Sequence, residues 1–318
     1  MRRREFVAAV VGATAIRPAT VFGQPRDRIW RIGILLVGGL EPLGPFREAL
    51  GELGYLEGKN IRIDIRSGQG QDERLPSLAS DLVRDGVDVM IAVQTPAAHA
   101  AKNATRTVPI VVMAGDPIGT GLIRSLARPE GNITGMSVTA AEAVAKSLEL
   151  IPEIIPEARR VGVLGNADDL FMKPFFDQIQ QGASGLGLEV REVVIRSNDD
   201  LDSAFETLIR DGAKAVIVQG SLPVKKTVDL ALKHRLPSLS TQKSAVQAGL
   251  LMSYSASFSE RARVLARYVD QIFKGAKPAD LPVQQPSKYE LVINMKTAKT
   301  IGLTVSPMVL ARADEVLE

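Results

Sequence analysis

Short apolar runs alternate with amphipathic stretches along most of the chain. The runs fall at residues 30–37, 61–65, 87–93, 108–113, 160–164, 188–195, 215–218, 237–240 and 250–253. They are short and rich in Val and Ile, as strands buried on both faces must be. Between them, apolar residues recur at helical spacing. Leu43, Phe46, Leu50 and Leu53 mark one stripe, and Leu75, Leu78, Leu82 and Val83 mark the next. The same spacing predicts helices near residues 97–105, 141–151, 170–185, 201–210, 224–234 and 259–273. Strand–helix–strand repetition gives parallel sheets with right-handed crossovers.

The pattern runs twice. One series ends near residue 115, a connecting segment follows at 131–137, and a second series begins at Arg160. A polar link at 254–258 then leads into another long helix and strand, which reads as a return to the first unit and a second return. The predicted fold class is therefore α/β, with two doubly wound parallel-sheet lobes joined by a multi-strand hinge. The first lobe is expected to take residues 24–135 and 256–283, and the second 136–255 and 284–318. Several chain crossings between two lobes make a hinge.

Composition narrows the class. At 318 residues the chain is long enough for two domains, and 45% hydrophobic with 24% charged is ordinary globular usage. No run of about 18 apolar residues is present, so no transmembrane helix is expected after any leader is removed. There are no cysteines, which excludes disulfides, thiolate metal sites, cysteine nucleophiles and a cysteine-borne lipid anchor. Arg2, Arg3 and Arg4 precede an apolar stretch, and Val21-Phe22-Gly23 offers small residues where a signal peptidase reads. Residues 1–23 are read as a signal peptide of twin-arginine type, which places the protein in the periplasm as an exported, soluble chain. The formal charge of +3 comes from those residues; the remainder balances at 35 basic and 35 acidic side chains. A neutral body gives no electrostatic reason to expect a nucleic-acid partner.

In open parallel sheets, ligands bind beyond the carboxyl ends of the strands. The loops there hold Gly39, Thr95 and Asp116 in the first lobe, and Asn166, Ser221 and Thr241 in the second. Free backbone donors and hydroxyls suit a carboxylate or a polar small molecule, and Asp116 suits an ammonium group. Read singly, Thr95, Asp168 and Ser221 are ordinary helix caps; their convergence is what suggests a site. Motifs for enzymes and cofactors are sparse. The two histidines, His99 and His234, lie in no metal or triad spacing, and no nucleophile elbow, Walker loop or zinc-protease motif occurs. No cofactor is expected.

Residues 46–64 (FREALGELGYLEGKNIRID), 95–111 (TPAAHAAKNATRTVPIV), 115–137 (GDPIGTGLIRSLARPEGNITGMS) and 249–305, with its KGAKPADLPVQQP turn and YELVINMKTAKTIGL strand–helix, carry a resemblance. The chain resembles, nearly end to end, the ABC-transporter substrate-binding proteins of the TrpX-like family, which have the type I periplasmic binding fold. The resemblance implies a monomeric receptor whose lobes close on a small solute, with aromatic amino acids among the ligands of some relatives, and which docks on a permease in the inner membrane. Carried over by position, Gly39, Thr95, Asp116, Ser137, Asn166, Ser221 and Thr241 would line the cleft, with Tyr254 as an aromatic contact. The loop 219–223 lacks the acidic residue expected of many relatives.

Two rival readings are open at this stage. One is a racemase or epimerase with Asp116 and Asp168 as paired acids. The other is a ligand sensor for a membrane signalling partner.

Overall fold

The computed structural model describes residues 28–38, 43–138 and 141–318, without the side chains of 141 and 142. The expected leader and Gly39 lie outside the described residues.

The first lobe forms β1 (Trp30–Leu36), α1 (Gly44–Glu52), β2 (Ile61–Ser67), α2 (Leu75–Arg84), β3 (Val89–Val93), α3 (Thr95–Ala104), β4 (Ile110–Ala114) and β5 (Ile133–Ser137). The strands make a five-stranded parallel sheet in the order β2-β1-β3-β4-β5. The second lobe begins with α4 (Ala141–Ile154), β6 (Arg160–Asn166), α5 (Met172–Ser184), β7 (Glu189–Ile195) and α6 (Asp200–Arg210). It continues with β8 (Ala215–Val218), α7 (Val224–Lys233), β9 (Ser238–Ser240), α8 (Lys243–Gln247) and β10 (Met252–Ala256). The chain then crosses to α9 (Phe258–Phe273), which packs on α1 in the first lobe. It returns as β11 (Tyr289–Asn294), α10 (Met295–Ile301), α11 (Pro307–Leu310) and β12 (Glu315–Leu317). The second sheet has seven strands in the order β12-β11-β10-β9-β8-β6-β7, and only the β10–β11 pair is antiparallel.

Each sheet is covered on both faces, as the apolar runs require. In the first lobe Ile32, Ile34 and Ile91 meet Phe46 and Leu50 of α1 and Leu265 and Val269 of α9. The opposite face packs Leu35, Met90 and Val112 on Leu82 of α2 and Ala98 of α3. In the second lobe Val161, Val163 and Ile217 meet Leu148, Phe175 and Ile179. Leu164, Val216 and Val218 meet Phe205, Leu208 and Val228. The edge strand β7 departs from the expectation of full burial: Glu189, Arg191 and Glu192 face solvent, because no further strand covers that edge.

The segment read as a connector, 131–137, carries a strand. Residues 133–137 pair along β4, so the first crossing follows Ser137 rather than residue 135. Ala256 still pairs with Tyr289 in the second sheet, and Gln284 still exchanges backbone hydrogen bonds with Gly135 and Ser137. These crossings therefore fall one residue later than the sequence suggested, where the ladder bonds run out. Three connections join the lobes, and the second and third are tied to each other where the Ser257 N–H donates to the carbonyl of Lys288.

Candidate binding cleft between the lobes

The strand ends of both sheets face each other across a cleft whose inner part is a cavity of about 50 Å³. The first lobe lines it with Val93, Gln94, Thr95, Met113, Gly115 and Arg261, and the second with Asp169, Phe171, Phe175, Gln219, Ser221 and Thr241. Among the described lining residues, Arg261 is the one cation and Asp169 the one anion.

Asp169 occupies the turn between β6 and α5. Asn166 starts that turn by accepting the N–H of Asp168 on its side-chain oxygen (3.1 Å). Asp169 Oδ1 then accepts the Phe171 N–H (2.9 Å), while Oδ2 accepts Gln219 Nε2 (2.8 Å) and Ser221 Oγ (2.7 Å). Gln219 is itself fixed, since its Oε1 accepts the Asn166 N–H (2.8 Å). Burial raises the Asp169 carboxyl to about 6, with the Asp72 carboxylate adding to the rise and the Ser221 and Phe171 hydrogen bonds opposing it. Arg261 is 7% exposed in the first turn of α9, with its guanidinium 5.3 Å from the Phe258 ring.

Several contacts join the lobes around this cavity. Gln94 Nε2 donates to the carbonyl of Gly220 (2.5 Å), and Asn166 Nδ2 donates to Asp72 Oδ2 (2.8 Å). Burial also raises the Asp72 carboxyl, helped by the nearby Asp168 and Glu73 charges. The Phe171 ring lies on Gly115, where any Cβ would sit 2.8 Å from the ring. Gly220 is constrained in the same way by Gln242, whose side-chain amide occupies the position a Cβ would take.

Two larger chambers flank the cavity. One, of about 580 Å³, shares Val93, Gln94, Gly220 and Gln242 with it. The other, of about 470 Å³, shares Ser221 and is lined by Asp72, Glu73, Asn166, Asp168, Arg196 and Asp199.

Of the residues nominated from sequence, Thr95, Ser221 and Thr241 line the inner cavity. Neither hydroxyl that reads as a helix cap acts as one. Thr95 Oγ1 accepts the Gly115 N–H (3.2 Å), and Ser221 Oγ serves Asp169. Asn166 lines the acidic chamber. Ser137 is buried at the end of β5, its N–H donated to Gln284. Asp116 accepts the Gly119 N–H (2.9 Å) within its own turn and does not line the inner cavity. Tyr254 stacks on Tyr289 (5.7 Å) between β10 and β11 rather than in the cavity. Asp168 is exposed, so Asp116 and Asp168 do not face each other across the inner cavity. Sequence reasoning missed Arg261, Asp169 and Phe171. Loop 219–223, which has no acid of its own, holds Asp169 through Gln219 and Ser221.

The comparisons agree with this architecture. A curated tyrosine-binding protein of Clostridioides difficile is 29% identical over 266 residues, covering 81% of this chain and 75% of that protein. A solved ABC domain in complex with L-Trp, from Streptococcus pneumonia, matches at 26% identity with a TM-score of 0.81, over 91% of this chain and all of that one. A conserved domain protein from Vibrio cholerae matches over the same shares at 26% identity and a TM-score of 0.82. The fold is that of type I periplasmic binding proteins. The model of the ABC transporter substrate binding proteins matches residues 40–317, and the chain belongs to that family.

Proposed function

We propose that this protein is the extracytoplasmic solute receptor of an ABC-type importer and that its lobes close on an α-amino acid. The observation that carries the reading is the pair of opposite charges in one cavity, Arg261 from the first lobe and Asp169 from the second. A guanidinium grips a carboxylate with two parallel hydrogen bonds. A buried carboxylate fixed by three donors is ready to take an ammonium group. A zwitterion therefore satisfies both lobes at once, and contacts made only in the closed form shift the hinge toward closure. The relatives named for tyrosine and complexed with tryptophan support this ligand class.

Closure turns on the three crossings, with residues 28–137 and 257–284 moving as one lobe against the rest. The partner is a permease of the inner membrane. The leader-like start supports a periplasmic location, and among the described residues no helix is long and apolar enough to cross a membrane. The receptor acts as a monomer, makes no covalent change to its ligand and has no nucleic-acid partner.

The test is a thermal-shift panel of L-amino acids, sugars, purines and polyamines on the purified chain. An amino acid present at a hundred times its Kd adds about 2.7 kcal/mol of stability. A response confined to sugars or polyamines contradicts the reading.

A further inference from the structure

Ser257-Phe258-Ser259-Glu260 has the spelling of a capping box. In that arrangement a Ser at the helix start bonds the N–H three residues on, and the Glu there returns a bond to the N–H of the Ser. The helix α9 does begin here, with Ser257 as its N-cap, but Ser257 makes no side-chain cap hydrogen bond. Both side chains are turned instead toward the third crossing. Glu260 Oε1 accepts the N–H (3.2 Å) and the hydroxyl of Ser287, and Glu260 Oε2 accepts the N–H of Lys288 (3.1 Å). Ser257 Oγ donates to Glu290 Oε1 on β11 (2.6 Å), and the Ser257 N–H donates to the carbonyl of Lys288 (2.8 Å). Backbone groups of an irregular crossing need partners, and here the first turn of a helix in the other lobe supplies them. The same turn carries Arg261. The Arg261 N–H donates to the carbonyl of Ser257 (3.0 Å), and its side chain lines the inner cavity.

We propose that Ser257 and Glu260 are positioning residues. They clip the first turn of α9 to residues 287–290, so that the second and third crossings turn as one unit and Arg261 keeps its aim into the cavity as the lobes move. The inference rests on the solute-receptor reading above and names the residues that hold its hinge and its one cavity cation in register.

The experiment measures the distance between the lobes in the full chain. The sequence has no cysteine, so spin labels on Ser80→Cys and Gln181→Cys, exposed on α2 and α5, form a single pair. Glu260→Gln separates a clip from a plain helix start. A capping box takes Glu or Gln alike, but the amide nitrogen of Gln cannot accept, so the N–H of Ser287 or of Lys288 loses its partner. In Glu260→Gln the distance distribution of the ligand-free chain is expected to broaden. The calorimetric affinity for L-tyrosine is expected to fall at least about fivefold, while the urea midpoint stays where it is in the unaltered chain. Glu290→Ala, which removes the partner of Ser257 without altering α9, is expected to act in the same direction. Distances and affinity that match the unaltered chain in both variants, with only Glu260→Ala losing stability, overturn the proposal and leave the pair as a helix start. If L-tyrosine and the other amino acids fail to bind the unaltered chain, the amino-acid reading falls, and the distances in the ligand-free variants still decide the clip.

Discussion

Gln94, at the end of β3, donates its side-chain amide across the cleft to the carbonyl of Gly220, while its own backbone is held at φ +74°. A non-glycine residue in that region carries about 1 kcal/mol or more of strain. The backbone turn that costs this energy also aims the amide at the other lobe. Gln94→Ala keeps the backbone but removes the bond between lobes. Ligand affinity is then expected to fall about fivefold, the worth of one neutral hydrogen bond. Small-angle scattering of the ligand-free variant shifts toward the open form. An unchanged profile and affinity would leave the bond without a role in closure.

Gly115 meets Phe171 at the same seam. A methyl group there would sit 2.8 Å from the ring, so Gly115→Ala forces the lobes apart or the ring aside. Ligand affinity is expected to drop at least about tenfold while the unfolding midpoint of the ligand-free protein changes little, because each lobe keeps its own core. Adding Phe171→Leu to Gly115→Ala should recover part of the loss. No recovery would show that Gly115 matters for its own loop rather than for the approach of the lobes.

Asp169 makes stability depend on pH. Its carboxyl is raised to about 6 in the folded chain, above the ordinary value near 3.8, so the folded protein holds this proton more tightly than the unfolded one. The sign follows: stability increases as pH falls through 6 toward 4, and the buried charge destabilises above 6. The whole effect is roughly 3 kcal/mol. Asp169→Asn lacks it, so the unaltered protein should gain stability relative to Asp169→Asn by about 2 kcal/mol between pH 7 and pH 4.5 in urea melts. A constant difference would mean that the carboxyl titrates normally. Ligand binding runs the other way. An ammonium group needs the ionised carboxylate, so affinity declines below about pH 6 in the unaltered protein.

Arg261 tests the other end of the ligand. Arg261→Lys keeps the charge and loses the two-pronged geometry. Affinity for an amino acid is expected to fall by about tenfold to a hundredfold, with the greater part of the loss appearing as faster dissociation in a stopped-flow trace. Affinity within twofold of the unaltered protein would remove Arg261 from the carboxylate contact.

The fold was largely legible because burial on both faces leaves continuous apolar runs, and all nine such runs correspond to strands. β5 escaped because Asn132, Thr134, Gly135 and Ser137 dilute its apolar signal; it forms through pairing with β4, a tertiary effect. The terminal β12 is three residues long and pairs only with β11, and it too leaves no periodic trace. The site was legible in part. The strand-end rule led to Thr95, Ser221 and Thr241, since chain order alone places them at the carboxyl ends of strands. It missed Arg261 because that side chain arrives from α9, after the chain has crossed back, and looks in sequence like one charge among several on an amphipathic helix. Asp169 was hidden by its neighbour: the Asp168-Asp169 pair gives two equal candidates, and only the turn geometry sends the second inward. Asp116 was misleading because a carboxylate after a strand reads the same whether it faces a ligand or closes its own turn on Gly119.

The most direct measurement removes one end of the ligand at a time. For the amino acid that binds most tightly, calorimetry compares it with the matching acid that lacks the amine and the matching amine that lacks the carboxyl. Each truncated compound is expected to bind about a hundredfold more weakly, because each loses its charged contact with Asp169 or with Arg261. Asp169→Asn should abolish the penalty for losing the amine and leave the penalty for losing the carboxyl. If the amine-free acid binds as tightly as the amino acid, the two charges are not reading a zwitterion between the lobes.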